Sequence, residues 1–154
     1  MVWQTLKRWY HMLGSPRYFY TFSSRVLPWL TPIALLTLAA GLIWGLAFAP
    51  ADYQQGNSYR IIFIHVPASS GALMGYMALG VSGLVAVVWR MKMAEGMLKA
   101  IAPFGAALAA ISLVTGALWG KPTWGTYWQW DARMTSMLIL LFMYVGVIAL
   151  QAVI

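Results

Sequence analysis

Four apolar stretches, 28–48, 61–89, 101–119 and 134–154, alternate with shorter polar segments. In the second, the most apolar part runs from Leu73 to Val88. A hydrocarbon core of ~30 Å takes about 20 helical residues, so each stretch is long enough to cross it. A lone strand cannot satisfy its backbone polar groups in lipid, so the pattern predicts helices. The expected architecture is an all-α membrane protein: one membrane domain over 1–154, with four transmembrane helices. The segment 1–27 is aromatic and basic, rich in Trp and Tyr from Trp3 to Phe22, and is expected to lie along the cytoplasmic membrane face. Gly71 with Gly75, and Gly105 with Ala109, are small-x-x-x-small pairs that permit close helix contacts.

Composition sharpens this picture. Only 8% of residues are charged and 62% are hydrophobic. Soluble domains carry about 25% charged residues, so this chain cannot cover a water-exposed surface. It has no cysteine, which excludes disulfides, Cys-ligated zinc or iron–sulfur sites and a C-x-x-C-H haem attachment site. The first apolar stretch is long enough to span and reads as a retained helix.

The net charge of +7 concentrates near the ends of the apolar stretches. Lys7, Arg8, Arg17, Arg25, Arg90, Lys92 and Lys99 fall on one side, and Arg60, Lys121 and Arg133 on the other. The positive-inside bias then puts the N-terminus in the cytoplasm and the segments 49–60 and 120–133 outside. No basic stripe interleaves with aromatics away from the spans, so nucleic acid is not an expected partner. The fourth stretch stops at Val153-Ile154 without a polar or basic flank, and the chain therefore reads as part of a longer protein.

The candidate chemistry lies in the outward segments. Trp119, Trp124, Tyr127, Trp128, Trp130 and Asp131 fall within thirteen residues. One reading is an interfacial aromatic belt and docking surface. The other is a platform for a large planar ligand. If 123–133 is helical, Trp124, Trp128 and Asp131 share a face, with Pro122 in its first turn. Asp131 also suits the cap of the fourth span.

His65, at the outward end of the second span, is either a metal ligand or a hydrogen-bonded bundle histidine. Pro67 favours a helix start or kink beside it. His11 lies on the opposite side of the membrane and reads as a surface residue. A b-type cytochrome needs paired histidines at one depth, which this chain lacks. The cations Arg60, Lys121 and Arg133 can pair with lipid phosphates, with Asp52 and Asp131, or with ligand carboxylates. No Ser/His/Asp, Cys/His or paired-carboxylate arrangement occurs, so a hydrolase is not expected. The absence of charged midplane residues in spans one, three and four disfavours a transporter.

The string Trp124-Gly125-Thr126-Tyr127-Trp128-Gln129-Trp130-Asp131 resembles the W-G-x-x-W-x-W-D signature of haem-handling proteins. The stretches from Phe48 to Pro67, Trp89 to Ala94 and Gly116 to Ser136 are similar to the haem exporter protein C (CcmC) family of the cytochrome c maturation system. The resemblance implies a multi-pass protein of the bacterial inner membrane that binds haem b at the periplasmic face. It implies delivery of haem to a periplasmic haem chaperone, and association with the membrane and ATPase subunits of an ATP-binding cassette complex and a small single-span subunit.

His65 matches one of two axial histidines. The other belongs to a later outward loop of a six-span fold and is not in this sequence. The expected haem-binding residues are His65, Trp119, Trp124, Trp128, Trp130, Asp131, Arg60, Lys121 and Arg133. Such a protein handles and transfers haem rather than acting as a conventional enzyme. The alternative is a structural or assembly subunit whose Trp-rich segment docks protein and lipid without a cofactor.

Overall fold

A computed structural model describes residues 2–153. Helix α1 (Val2–Gly14) is followed by α2 (Pro16–Ile43), which continues into a π-helical turn (Trp44–Phe48). A 3-10 turn (Asn57–Ile61) leads into α3 (Ile62–Trp89), and then come α4 (Lys92–Trp124) and α5 (Ala132–Val153). Among the described residues the only β pairing is an isolated bridge between Asp52 and Gly56. The all-α expectation therefore holds, with four helices long and apolar enough to cross a membrane.

Three of these units run for 33 residues each: 16–48, 57–89 and 92–124. At ~1.5 Å per residue such a helix is about 50 Å long and overshoots a ~30 Å hydrocarbon core by several turns. The apolar stretches therefore lie inside longer helices: they miss the first turns of the units 16–48 and 57–89 and both ends of 92–124. Residues 16–27, assigned by composition to the interfacial segment, are continuous with α2. The charged residues Lys92, Glu95 and Lys99 belong to the first turns of α4.

Local chemistry sets the boundaries. Ser15 is extended and Pro16 opens α2, where a missing N–H costs nothing. Arg90 ends α3 in the left-handed region at φ 50°, and Gly125 ends α4 at φ 79°. Pro67 sits inside the first turns of α3.

The helix conditionally expected over 123–133 does not form. α4 instead runs through Pro122 to Trp124, and 125–131 is irregular. Glycine breaks the run because it alone enters the left-handed conformation without steric cost. Pro122 thus lies in the last turn of α4, not the first turn of a new helix. Asp131 does start the next helix: its Oδ1 accepts the Met134 N–H at 2.9 Å.

α3, α4 and α5 form the core. Ala72, Leu79, Ala102, Ala109, Leu140 and Tyr144 meet there. Lipid tails are as apolar as these side chains, so close packing and internal hydrogen bonds, rather than escape from water, hold the helices together. Tyr144 is fully buried and donates to the Ala72 carbonyl at 2.7 Å, which ties α5 to α3. Its ring lies where Gly75 and Gly105 leave no side chain.

No residue of α2 is buried. The helix is joined to the bundle at its end, where Arg60 donates from Nε to the Ala49 carbonyl (3.0 Å) and from Nη1 to the Leu46 carbonyl (3.1 Å). Those carbonyls end a helix and lack partners of their own, so the guanidinium caps them. Beside them Gly45 meets the Phe63 ring so closely that a Cβ would sit 2.5 Å from Cγ.

Candidate functional site

Above the Tyr144–Ala72 bond a cavity of about 710 Å³ separates α3 from α5, with α4 as its floor. Its walls carry His65, Ser69 and Leu73 from α3; Ser112, Gly116, Trp119, Thr123 and Trp124 from α4; and Met134, Met137, Leu140 and Met143 from α5. Gln55, Asp131 and Arg133 complete the end nearest the loops. The surface is chiefly apolar, with a few polar groups gathered near one end.

His65 is the most constrained of those groups. Its Nδ1 lies 3.1 Å from the Ser112 carbonyl oxygen and 3.0 Å from Thr115 Oγ1. A carbonyl can only accept, so Nδ1 carries the proton. The single Thr115 proton goes to the Ile111 carbonyl at 2.7 Å, so its oxygen also accepts from Nδ1. The lone pair is therefore on Nε2. The nearest polar neighbour of Nε2 is Ser69 Oγ, 3.5 Å away, too far for a good bond. Ser69 spends its own proton on the His65 carbonyl at 2.8 Å and accepts from Ser112 Oγ at 2.6 Å.

The His65 ring meets Trp119 edge to face at 5.8 Å. The Trp119 Nε1 in turn donates to Gln55 Oε1 at 2.7 Å, which fastens the 49–56 loop to α4. That loop is shaped by Asp52, whose Oδ1 accepts the N–H groups of Gln54 and Gln55, and by Gly56 at φ 58°. Gly116 makes room for the imidazole. A Cβ there would lie 3.1 Å from His65 Cε1 and 3.3 Å from the Met134 sulfur.

Asp131 and Arg133 form an ion pair at 2.9 Å, and the guanidinium lies 4.8 Å over the Trp124 ring. The Met134 N–H, followed by the Arg133 side chain, holds the Asp131 carboxyl below the usual carboxylate range. A lowered folded-state value means that Asp131 contributes stability above its unfolded pKa. That contribution fades as pH falls through the lower folded value. Asp131→Ala should therefore melt a few degrees lower near neutral pH, a gap that closes on acidification below about pH 4. Thermal melts of both chains at several pH values check this, and a pH-independent gap would remove the capping account.

The structure brings His65, Trp119, Trp124, Asp131 and Arg133 to one cavity and leaves the other candidates outside its wall. Arg60 caps the end of α2. Lys121 donates to the Gly125 carbonyl at 3.0 Å and lies over the Tyr127 ring. Trp128 and Trp130 pack edge to face at 5.2 Å. The Trp128 Nε1 is buried with no hydrogen-bond partner among the described residues, whereas Trp130 is 77% exposed.

Sequence reasoning missed Ser69, Ser112, Thr115, Gln55 and Gly116. A signal existed for Ser69, one turn from His65, and for Ser112 and Thr115, hydroxyls on a shared helix face in an apolar span. Gln55 had none, because only the fold brings it against Trp119.

The family model described as Heme exporter protein C matches residues 9–154. The Heme exporter protein C of Escherichia coli strain K12 is 52% identical over 149 residues, 97% of this chain and 59% of the relative. The Haemophilus influenzae protein of that name is 46% identical over 145 residues, 94% of this chain and 59% of its own length. The Bradyrhizobium diazoefficiens protein is 47% identical over 138 residues, 90% of this chain and 52% of its own. The chain thus spans between half and three-fifths of the length of these relatives. The match runs through α2 to α5 and every residue around the cavity: the chain belongs to the heme exporter protein C family.

Proposed function

We propose that this chain handles haem for cytochrome c maturation, holding haem b at the outer face of a bacterial inner membrane for transfer to a soluble periplasmic chaperone. The observation that carries the reading is the His65 imidazole, whose proton is committed to Nδ1 while Nε2 keeps its lone pair beside the cavity. Imidazole nitrogen is the common protein ligand of haem iron, and its second nitrogen normally donates to a carbonyl or similar acceptor, as here. The relatives' name suggests the haem, and the distribution of Lys and Arg supports the outward placement.

The residues present fit such a cargo. A volume of about 710 Å³ is within the range of small-molecule sites. Apolar walls suit a porphyrin face, and Trp119 and Trp124 offer aromatic surface, each ring contact contributing ~0.5–1.5 kcal/mol beyond area burial. Arg133 has an Nη1 not used by Asp131 and is the cation placed to meet a propionate. Arg60 and Lys121 act in loop and helix capping on this reading. The haem vinyl groups and the chaperone would supply any covalent chemistry, while this chain binds and orients.

Tyr127 and Trp130, exposed beside the cavity rather than in its wall, would receive the chaperone. The ATP-binding cassette subunits and small subunit of the resemblance are further expected partners. Titration of the apo chain in detergent with haem should give a Soret band that saturates near one haem per chain. Non-saturable uptake, identical to that of empty detergent, would favour a docking subunit without cofactor.

A further inference from the structure

His65 is held by two groups that can act toward it only as acceptors. One is the Ser112 carbonyl, part of the backbone. The other is Thr115 Oγ1, 3.0 Å from Nδ1. The Thr115 hydroxyl is not free to reverse the bond, because its proton is bound one turn back at the Ile111 carbonyl. A threonine in a helix commonly makes this back-bond, which here locks the side-chain rotamer and aims the oxygen lone pairs at α3. In the low dielectric between membrane helices such a bond is stronger than in water.

We propose that Thr115 is a positioning residue for the cargo: it fixes the His65 tautomer and ring angle and makes Nε2 a better donor to a planar iron-bearing ligand in the cavity. The inference rests on the haem reading of the same site. An acceptor at Nδ1–H draws positive charge toward that nitrogen and raises the basicity of Nε2. Ser69 and Ser112 protect the arrangement. The Ser112 hydroxyl is used on Ser69 and the Ser69 hydroxyl on the His65 carbonyl, so neither proton is spent on Nε2. Of the two acceptors at Nδ1, only Thr115 can be removed by substitution.

Two measurements test this. The first uses the full chain without haem, labelled with ¹⁵N-histidine in detergent. Its two histidines can be separated by a His11→Gln variant, and His65 should report the Nδ1–H form. A dominant Nε2–H form would overturn the proposal whether or not any variant folds. The second measurement compares Thr115→Val and Thr115→Ser in haem affinity and reduction potential. Valine keeps the branched shape and deletes the acceptor.

Loss of one such partner weakens metal binding by about 10–100-fold. Thr115→Val should fall in that range and shift the potential upward, because a less basic ligand stabilises ferric iron less. Thr115→Ser should restore both. Wild-type affinity and potential in Thr115→Val, with haem still lost in His65→Ala, would refute the role of Thr115 and leave the haem reading standing. Wild-type haem content in His65→Ala would refute His65 as the iron donor and the role of Thr115 with it, whereas a chain that takes up no saturable haem would refute the haem reading itself.

Discussion

Gly105→Ala should destabilise the bundle more than any other single methyl addition among the core glycines. The added Cβ would enter the Tyr144 ring at Cζ, Cε1 and Oη, well inside van der Waals contact. Tyr144 has no room to yield. It is fully buried, packs edge to face on Tyr76 at 5.4 Å and donates to the Ala72 carbonyl. Gly75 closes the other side, where a Cβ would lie 2.8 Å from Oη. Relief therefore requires α5 to move off α4, which breaks the bond to α3 as well.

Overpacking costs about 1–3 kcal/mol and a lost hydrogen bond about 0.5–1.5 kcal/mol. Together these are enough to separate α5 from the pair in a marginal bundle, and the cavity would be lost with it. Unfolding in mixed detergent micelles gives the measurement. Gly80→Ala is the matched control, since nothing lies within 4 Å of its added Cβ. Equal effects of the two substitutions would show that the Tyr144 notch does not hold the helices together.

His65→Ala should abolish stable haem binding while leaving the apo bundle nearly as stable as before. The two effects separate because of what remains. The Ser112 carbonyl and Thr115 Oγ1 lose a donor, but the Thr115 hydroxyl still donates within its helix, to the Ile111 carbonyl at 2.7 Å with the Ser112 carbonyl also in reach at 3.2 Å. No buried N–H is left unpaired, and an unpaired buried donor is the costly outcome. The ligand loss, by contrast, removes the proposed iron donor itself and should exceed the ~10–100-fold cost of deleting a partner behind the ligand.

Haem per chain, from the pyridine haemochrome, and the apo melting temperature together read the result. Added imidazole should restore part of the Soret band by filling the vacated space. Wild-type haem content in His65→Ala would end the assignment of His65 as the iron donor.

Much of this molecule is legible in order along the chain. Apolar length and scarce charge dictate four spanning helices, because a chain that cannot solvate its surface must place it in lipid and satisfy its backbone internally. The Trp124–Asp131 string and the flanking stretches of α3 point to the heme exporter protein C family. Asp131 could be identified as a cap because capping is local: the carboxylate reaches an N–H three residues on.

What the sequence left open depended on partners distant along the chain. Whether Trp124, Trp128 and Asp131 share a helix face turned on Gly125, and the break there sends Trp124 to the cavity and Trp128 elsewhere. Arg60, Lys121 and Arg133 are equivalent as charges in a sequence. The fold alone distinguishes them, giving Arg60 to the end of α2, Lys121 to the Gly125 carbonyl and Arg133 to the cavity edge.

The state of His65 is likewise a tertiary decision. A histidine in a span can be a ligand or a satisfied structural residue; the family resemblance points to a ligand, but nothing in the sequence says which nitrogen is free to bind. Two acceptors on α4, nearly fifty residues away along the chain, settle which nitrogen holds the proton. Sequence by itself determined the helices, the membrane and the family, since these follow from composition, periodicity and local motif. The cavity, the selection of Arg133 and the orientation of His65 came only from packing, because hydrogen bonds between helices depend on which residues face one another in space.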